Sequence, residues 1–121
     1  MKRAAVAKIG SAAPHVQYGS HDDVIAVVGR ALRDGARELV GSASHAADVR
    51  GLFGRPDRED QGHVFATVGG FFWYYQRPGV VIGFSFVDDR FTLGDKAPLH
   101  DVQLIDPTAY ETSLRGRDRA H

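Results

Sequence analysis

Five consecutive aromatic residues, Phe71-Phe72-Trp73-Tyr74-Tyr75, constrain the fold of this chain more than any other feature. In an extended strand, neighbouring side chains point to opposite faces of the sheet. Phe71, Trp73 and Tyr75 therefore share one face, and Phe72 and Tyr74 take the other. A sheet packed under one layer of helices needs apolar residues on one face only. Aromatics on both faces leave two readings open. The strand is either covered on both sides, or it presents an aromatic patch to a partner, for which Trp and Tyr make favoured anchors.

The surrounding residues alternate with a period of two. His63 to Val68, Phe71 to Gln76, Val80 to Val87 and Asp101 to Ile105 read as strands, with Phe91 and Leu93 as a brief further one. Val80, Ile82, Phe84 and Phe86 make an apolar stripe expected in the core. The small Gly83 and Ser85 behind it leave room for neighbouring aromatics or floor a shallow groove. Arg77-Pro78-Gly79 carries Pro and Gly in the order a type II turn prefers. Gly69-Gly70 suits a tight turn or a bulge, and Val87-Asp88-Asp89-Arg90 offers a third turn.

Before residue 63 the pattern reads as helical. Ser20 is a candidate N-cap, with Asp22 and Asp23 in the first turn where negative charge suits the helix dipole. Val24, Val27, Val28, Ala31, Leu32 and Leu39 recur at helical spacing, which predicts a helix from Asp22 to Val40 stopped by Gly41. A shorter helix, capped by Ser42 or Ser44, runs through Ala46 to Phe53 and ends at Gly54-Arg55-Pro56-Asp57. Residues 58–62 read as a polar loop. Residues 1 to about 20 are expected to form a loosely ordered arm or an edge strand, and residues 108–121 a polar tail. The expected architecture is a single α+β domain with two N-terminal helices packed on an antiparallel β-meander of about four to five strands.

A chain of 121 residues can bury enough surface to fold without a metal or a disulfide, and it has no cysteine for a disulfide or a thiolate metal site. Lys plus Arg equals Asp plus Glu at 15 each, so no bulk preference for nucleic acid or an anionic membrane is expected. The basic, alanine-rich start imitates a signal peptide, but Lys8 interrupts its apolar stretch. No segment approaches the roughly 18 apolar residues that span a bilayer. A cytoplasmic protein is the resulting expectation.

Chemical motifs are sparse. His15, His21, His45, His63, His100 and His121 form no metal-ligand spacing and no HExxH. Ser, His and Asp occur without a Gly-x-Ser-x-Gly elbow, and no phosphate or dinucleotide loop is present. The carboxylate pairs Asp22-Asp23, Glu59-Asp60 and Asp88-Asp89 read as helix-start or turn residues rather than acid/base couples. No catalytic residue, metal or cofactor is assigned. The enzymatic alternative is a ketosteroid-isomerase-like pocket, a carboxylate within an aromatic cone. Arg115, Arg117 and Arg119 are expected to be solvated.

Leu52-Phe53-Gly54-Arg55-Pro56-Asp57, followed by the Trp73-Tyr74-Tyr75 strand and the hydrophobic Gly79 to Val87 strand, resembles a layout found in two groups of small bacterial proteins. One is the outer-membrane assembly lipoproteins; the other is the immunity proteins of polymorphic toxin and contact-dependent inhibition systems. The likeness covers residues from about 45 to 105. The lipoprotein layout requires a signal peptide and a lipidated cysteine, which this sequence lacks, so the resemblance favours the immunity group. It implies a cytoplasmic protein that neutralises a cognate toxin by covering one of its surfaces.

On this reading the contact residues are Trp73, Tyr74 and Tyr75, joined by Glu59, Asp60, Asp88 and Asp89 on adjoining loops. Acidic loops would suit a basic nuclease toxin. The alternatives are a small-ligand-binding or enzymatic cone lined by the same aromatics, and a homodimer built on the aromatic strand.

Overall fold

The computed structural model describes residues 8–10, 15–19, 24–64, 68–88 and 93–119. Its main element is a six-stranded antiparallel sheet in the order β1-β2-β8-β7-β6-β5. The strands are β1 (His15–Tyr18), β2 (Val24–Gly29), β5 (Arg58–His63), β6 (Gly69–Arg77), β7 (Val80–Val87) and β8 (Leu99–Ile105). Between β2 and β5 the chain forms a separate hairpin, β3 (Leu32–Asp34) and β4 (Arg37–Val40), and then helix α1 (Ala46–Phe53). Helix α2 (Pro107–Arg119) follows β8.

This arrangement corrects the expectation of two N-terminal helices on a small meander. The stretch expected to be a helix up to Val40 is instead β2, β3 and β4 over its described residues. Val24 to Val28 is rich in β-branched residues, which favour strands, and β2 lies inside the sheet with Val27 in the core on one face and Ala26 beneath α2 on the other. Asp34 pairs with Arg37 across a two-residue turn in which Gly35 takes φ 61°. Gly at the first of the two turn positions is a hairpin signal, because Gly accepts positive φ without steric cost.

The C-terminal residues expected to be a solvated tail form α2. Asp106 caps it, accepting the Ala109 N–H at 3.2 Å, and Pro107 occupies the first helical position, where its missing N–H costs nothing. Residues 58–62, expected to be a loop, belong to edge strand β5, whose sequence Arg-Glu-Asp-Gln-Gly-His has no alternation. Its apolar partner β6 supplies the pairing, and charge on an edge strand discourages further association. Of the strand expected over His63 to Val68, only His63 belongs to β5, and residues 65–67 lie outside the described residues. Phe91 also lies outside them, and Leu93 precedes a short 3-10 turn at Gly94–Lys96.

Gly69 and Gly70, expected as a tight turn or bulge, pair regularly within β6, whereas the end of the short helix and the Pro-Gly turn match expectation. Helix α1 ends where Gly54, at φ 77°, donates its N–H to the Arg50 carbonyl at 2.8 Å. Its first turn is tied by the Asp48 carboxylate, which accepts the His45 N–H at 2.8 Å, so His45 rather than a serine is the cap position. Pro78-Gly79 forms the two-residue turn joining Arg77 to Val80.

Three layers result. On one face of the sheet, Trp73, Tyr75, Phe84, Phe86, Val102 and Leu104 pack under α1 and the β3–β4 hairpin, through Ala46, Val49, Leu32 and Val40. Within this core Phe71 stacks on Phe86 at 4.9 Å, and the Trp73 ring meets Phe86 edge-on at 4.8 Å. On the other face a smaller cluster of Tyr74, Val81 and Tyr110 lies beneath α2, with Phe72, Ile105 and Leu114 against it. Among the described residues no helix is long and apolar enough to cross a membrane.

Candidate functional site

Strand β6 is covered on both faces, and this decides where its aromatics go. Trp73, Tyr74 and Tyr75 are 4%, 7% and 0% exposed, so all three belong to the interior. The Arg50 guanidinium lies 4.9 Å from the Trp73 ring centroid and pairs with Asp95 at 2.7 Å, sealing that end of the core. The Tyr75 hydroxyl donates to the Gly54 carbonyl at 2.9 Å, joining β6 to the end of α1. Burial raises the Tyr75 phenol above its ordinary range, against the pull of Arg50 and Arg77.

The acidic residues expected beside them are not gathered into one surface. Glu59 and Asp60 are consecutive in β5 and point to opposite faces. Glu59 is exposed, whereas Asp60 is half-buried and accepts from the Arg58 Nε at 3.1 Å. Asp88 is buried at the end of β7, where its carboxylate accepts the Leu93 N–H at 3.0 Å. Asp89 lies outside the described residues.

One group of side chains has the composition of a nucleophilic triad. Ser85 donates to Asp101 across the β7–β8 register, and His100 Nε2 lies 3.9 Å from the other Asp101 oxygen. The order is Ser–Asp–His, with the carboxylate in the middle. Activation of a serine requires the imidazole to take its proton, with the carboxylate behind the imidazole. This group therefore reads as a cross-strand polar tie. Among the described residues no three His, Asp or Glu side chains gather to hold a metal ion.

Among the described residues a cleft of about 280 Å³ lies between α2 and the sheet. Its sheet side is made by Gln17 on β1, Ile25 and Ala26 on β2, Gln103 and Ile105 on β8, and Tyr74 on β6. Helix α2 contributes Ala109, Tyr110, Ser113 and Leu114, one side of a helix at i, i+1, i+4 and i+5. Gly83 seats the Tyr74 wall. A Cβ there would lie 3.1 Å from Tyr74 Cε1 and 3.6 Å from Gln103 Cβ, so its absence lets the Tyr74 ring lie across β7.

Tyr74 and Tyr110 meet with ring centroids 5.4 Å apart at 47°, forming one wall. The Tyr110 hydroxyl is buried without a hydrogen-bond partner among the described residues; the Gln76 amide lies near it but outside bonding geometry. Burial raises its pKa, and the Arg58 guanidinium partly offsets this.

Comparison of the chain with protein-family models, curated proteins and solved structures finds no match. The cleft therefore has to be read from its own chemistry. Its aromatic wall comes from the strand that stood out in the sequence, and small Gly83 was a legible sign of room for that wall. The helix side was not legible, because Tyr110 and Leu114 are too few apolar residues to mark a helix face.

Proposed function

We propose that this protein is a small-molecule-binding domain whose site is the cleft between α2 and the sheet. The observation that carries this reading is the combination of ligand-scale volume, apolar walls and a few convergent polar groups. About 280 Å³ lies at the lower edge of the roughly 300–1,000 Å³ typical of ligand pockets, which suits a fragment-sized molecule. Burial of Trp73 and Tyr75 also favours it, since neither ring offers surface to a partner. No catalytic step is assigned to the site.

A thermal-shift screen of small molecules tests the reading. Ligand at 100 times its Kd stabilises a folded domain by about 2.7 kcal/mol. For a domain of this size that corresponds to a rise of roughly 10 °C. Hits should lose this shift in Ser113→Trp, which places an indole in the cleft from an exposed helix position. Shifts that persist in the plugged variant would refute the cleft as the site.

A second reading, contact with a protein partner such as a toxin domain, keeps one support. Edge strand β5 carries exposed Glu59 and Gln61 beside a side not paired by another described strand. Strand addition at such an edge is an established mode of recognition. If the reading holds, Glu59→Lys should weaken a stoichiometric complex with a basic toxin domain; unchanged affinity would remove it.

A further inference from the structure

Resting on the cleft as the binding site, we infer that its ligand is an uncharged, planar molecule bearing both a hydrogen-bond donor and an acceptor on one edge. Three features lead to this class.

The first is charge. None of the described residues lining the cleft is ionised at neutral pH. Described charged groups in the adjoining sheet and helix have partners: Arg58 pairs with Asp60, Asp106 caps α2, and Glu111 pairs with Arg115. An ionised ligand would lose its hydration and find no counter-charge, a cost that grows with burial.

The second is the kind of polar group present. Gln17 on β1 and Gln103 on β8 stand on the same sheet face, one on either side of β2. Each carboxamide offers two N–H donors and one carbonyl acceptor, and neither side chain makes a hydrogen bond among the described residues. A lactam, amide or similar edge satisfies such a group in both directions. A hydrocarbon leaves it unsatisfied.

The third is shape. The Tyr74 ring lies across β7 above Gly83, and Tyr110 leans against it at 47°. The two rings pack into one aromatic wall beside the narrow side chain of Ala26, against which a flat ring can lie.

Three bicyclic probes of matched size separate these features: 2-quinolone, which carries a lactam edge; naphthalene, which carries no edge; and 2-naphthoate, an anion at neutral pH. Binding is followed by two-dimensional NMR of the intact chain, reading the side-chain amides of Gln17 and Gln103. The expected result is saturable binding of 2-quinolone that shifts both amides and is lost in Ser113→Trp. Naphthalene and 2-naphthoate should each bind at least tenfold more weakly. Gln103→Leu keeps the shape of the cleft and should weaken 2-quinolone while leaving naphthalene unchanged, which covers the case in which Ser113→Trp perturbs the fold.

If 2-naphthoate binds the cleft as tightly as 2-quinolone, the ligand class is overturned and the cleft survives as a site. Equal binding of naphthalene and 2-quinolone overturns the edge recognition in the same way. If no probe shifts either amide, both the class and the cleft reading fall.

Discussion

The same chemical change, loss of one phenolic oxygen, should move stability in opposite directions at Tyr75 and Tyr110. The Tyr75 hydroxyl donates to the Gly54 carbonyl at 2.9 Å, and Tyr75→Phe removes that bond. A typical intramolecular hydrogen bond contributes about 0.5–1.5 kcal/mol, so this variant should lose roughly 1 kcal/mol. The Tyr110 hydroxyl is buried with no partner among the described residues. A buried, unsatisfied polar group costs about 1–3 kcal/mol, and Tyr110→Phe removes that cost while leaving the ring in place against Tyr74. Gln76 lies near the hydroxyl and relieves part of that cost, so the lower end of the range applies. The expected gain is therefore about 1 kcal/mol. With an unfolding entropy near 2.1 cal/mol/K per residue, each change should shift Tm by roughly 4 °C, downward for Tyr75→Phe and upward for Tyr110→Phe. Calorimetry and urea unfolding of the three proteins side by side measure both. A fall in Tm for Tyr110→Phe, or no change, would show that its hydroxyl is satisfied and refute the account of that wall.

Two further outcomes follow from the packing. Gly70→Ala should be strongly destabilising, because a Cβ there would overlap Val64 Cγ2 and the Phe86 carbonyl oxygen, and backbone cannot rotate aside. Overpacking costs about 1–3 kcal/mol or more, against the 0.5–1 kcal/mol that Ala in place of Gly returns in a strand. A urea midpoint within error of the parent would contradict it. Stability should also fall in alkali. Burial holds the phenols of Tyr75 and Tyr110 above their ordinary value of 10.0, so the unfolded chain releases those protons first. The folded state then binds more protons than the unfolded one, and stability, fully present below about pH 10, declines as pH rises through the folded-state values. Urea midpoints between pH 8 and 11 measure this, and Tyr110→Phe should make the decline shallower.

The sheet was legible where neighbouring residues had a single use. Val80 to Val87 alternates large with small, and its partner β6 brings aromatics to both faces, so strands and turn there were readable. The stretch from Val24 to Val40 was misread because its apolar residues satisfy two periods at once. Spacing admits a helix, but β-branched crowding in Val24 to Val28 and the Gly35-Ala36 turn favour strands, and the tertiary partners β1 and β8 complete the choice. Strand β5 was hidden for the opposite reason, since its pairing depends on β6 and not on its own pattern.

The cleft was half legible, and the missing half explains why it exists. An amphipathic helix with a full apolar stripe would pack flat on the sheet and fill the space beneath it. Helix α2 joins the apolar packing on that face through Tyr110 and Leu114, and the stretch Glu111 to Ser113 between them is exposed. Opposite it, the sheet offers Ala26 and the carboxamide of Gln103, which are small or polar rather than bulky and apolar. Two anchors and a sparse floor hold the helix without closing the gap. The low apolar content that made residues past Pro107 look like a tail is thus the same property that leaves space under α2. A variant that fills the stripe, such as Ser113→Trp, trades that space for packing, so it should stabilise the fold as it abolishes binding. Stability and occupancy of this cleft then move in opposite directions, which no role confined to structure would require.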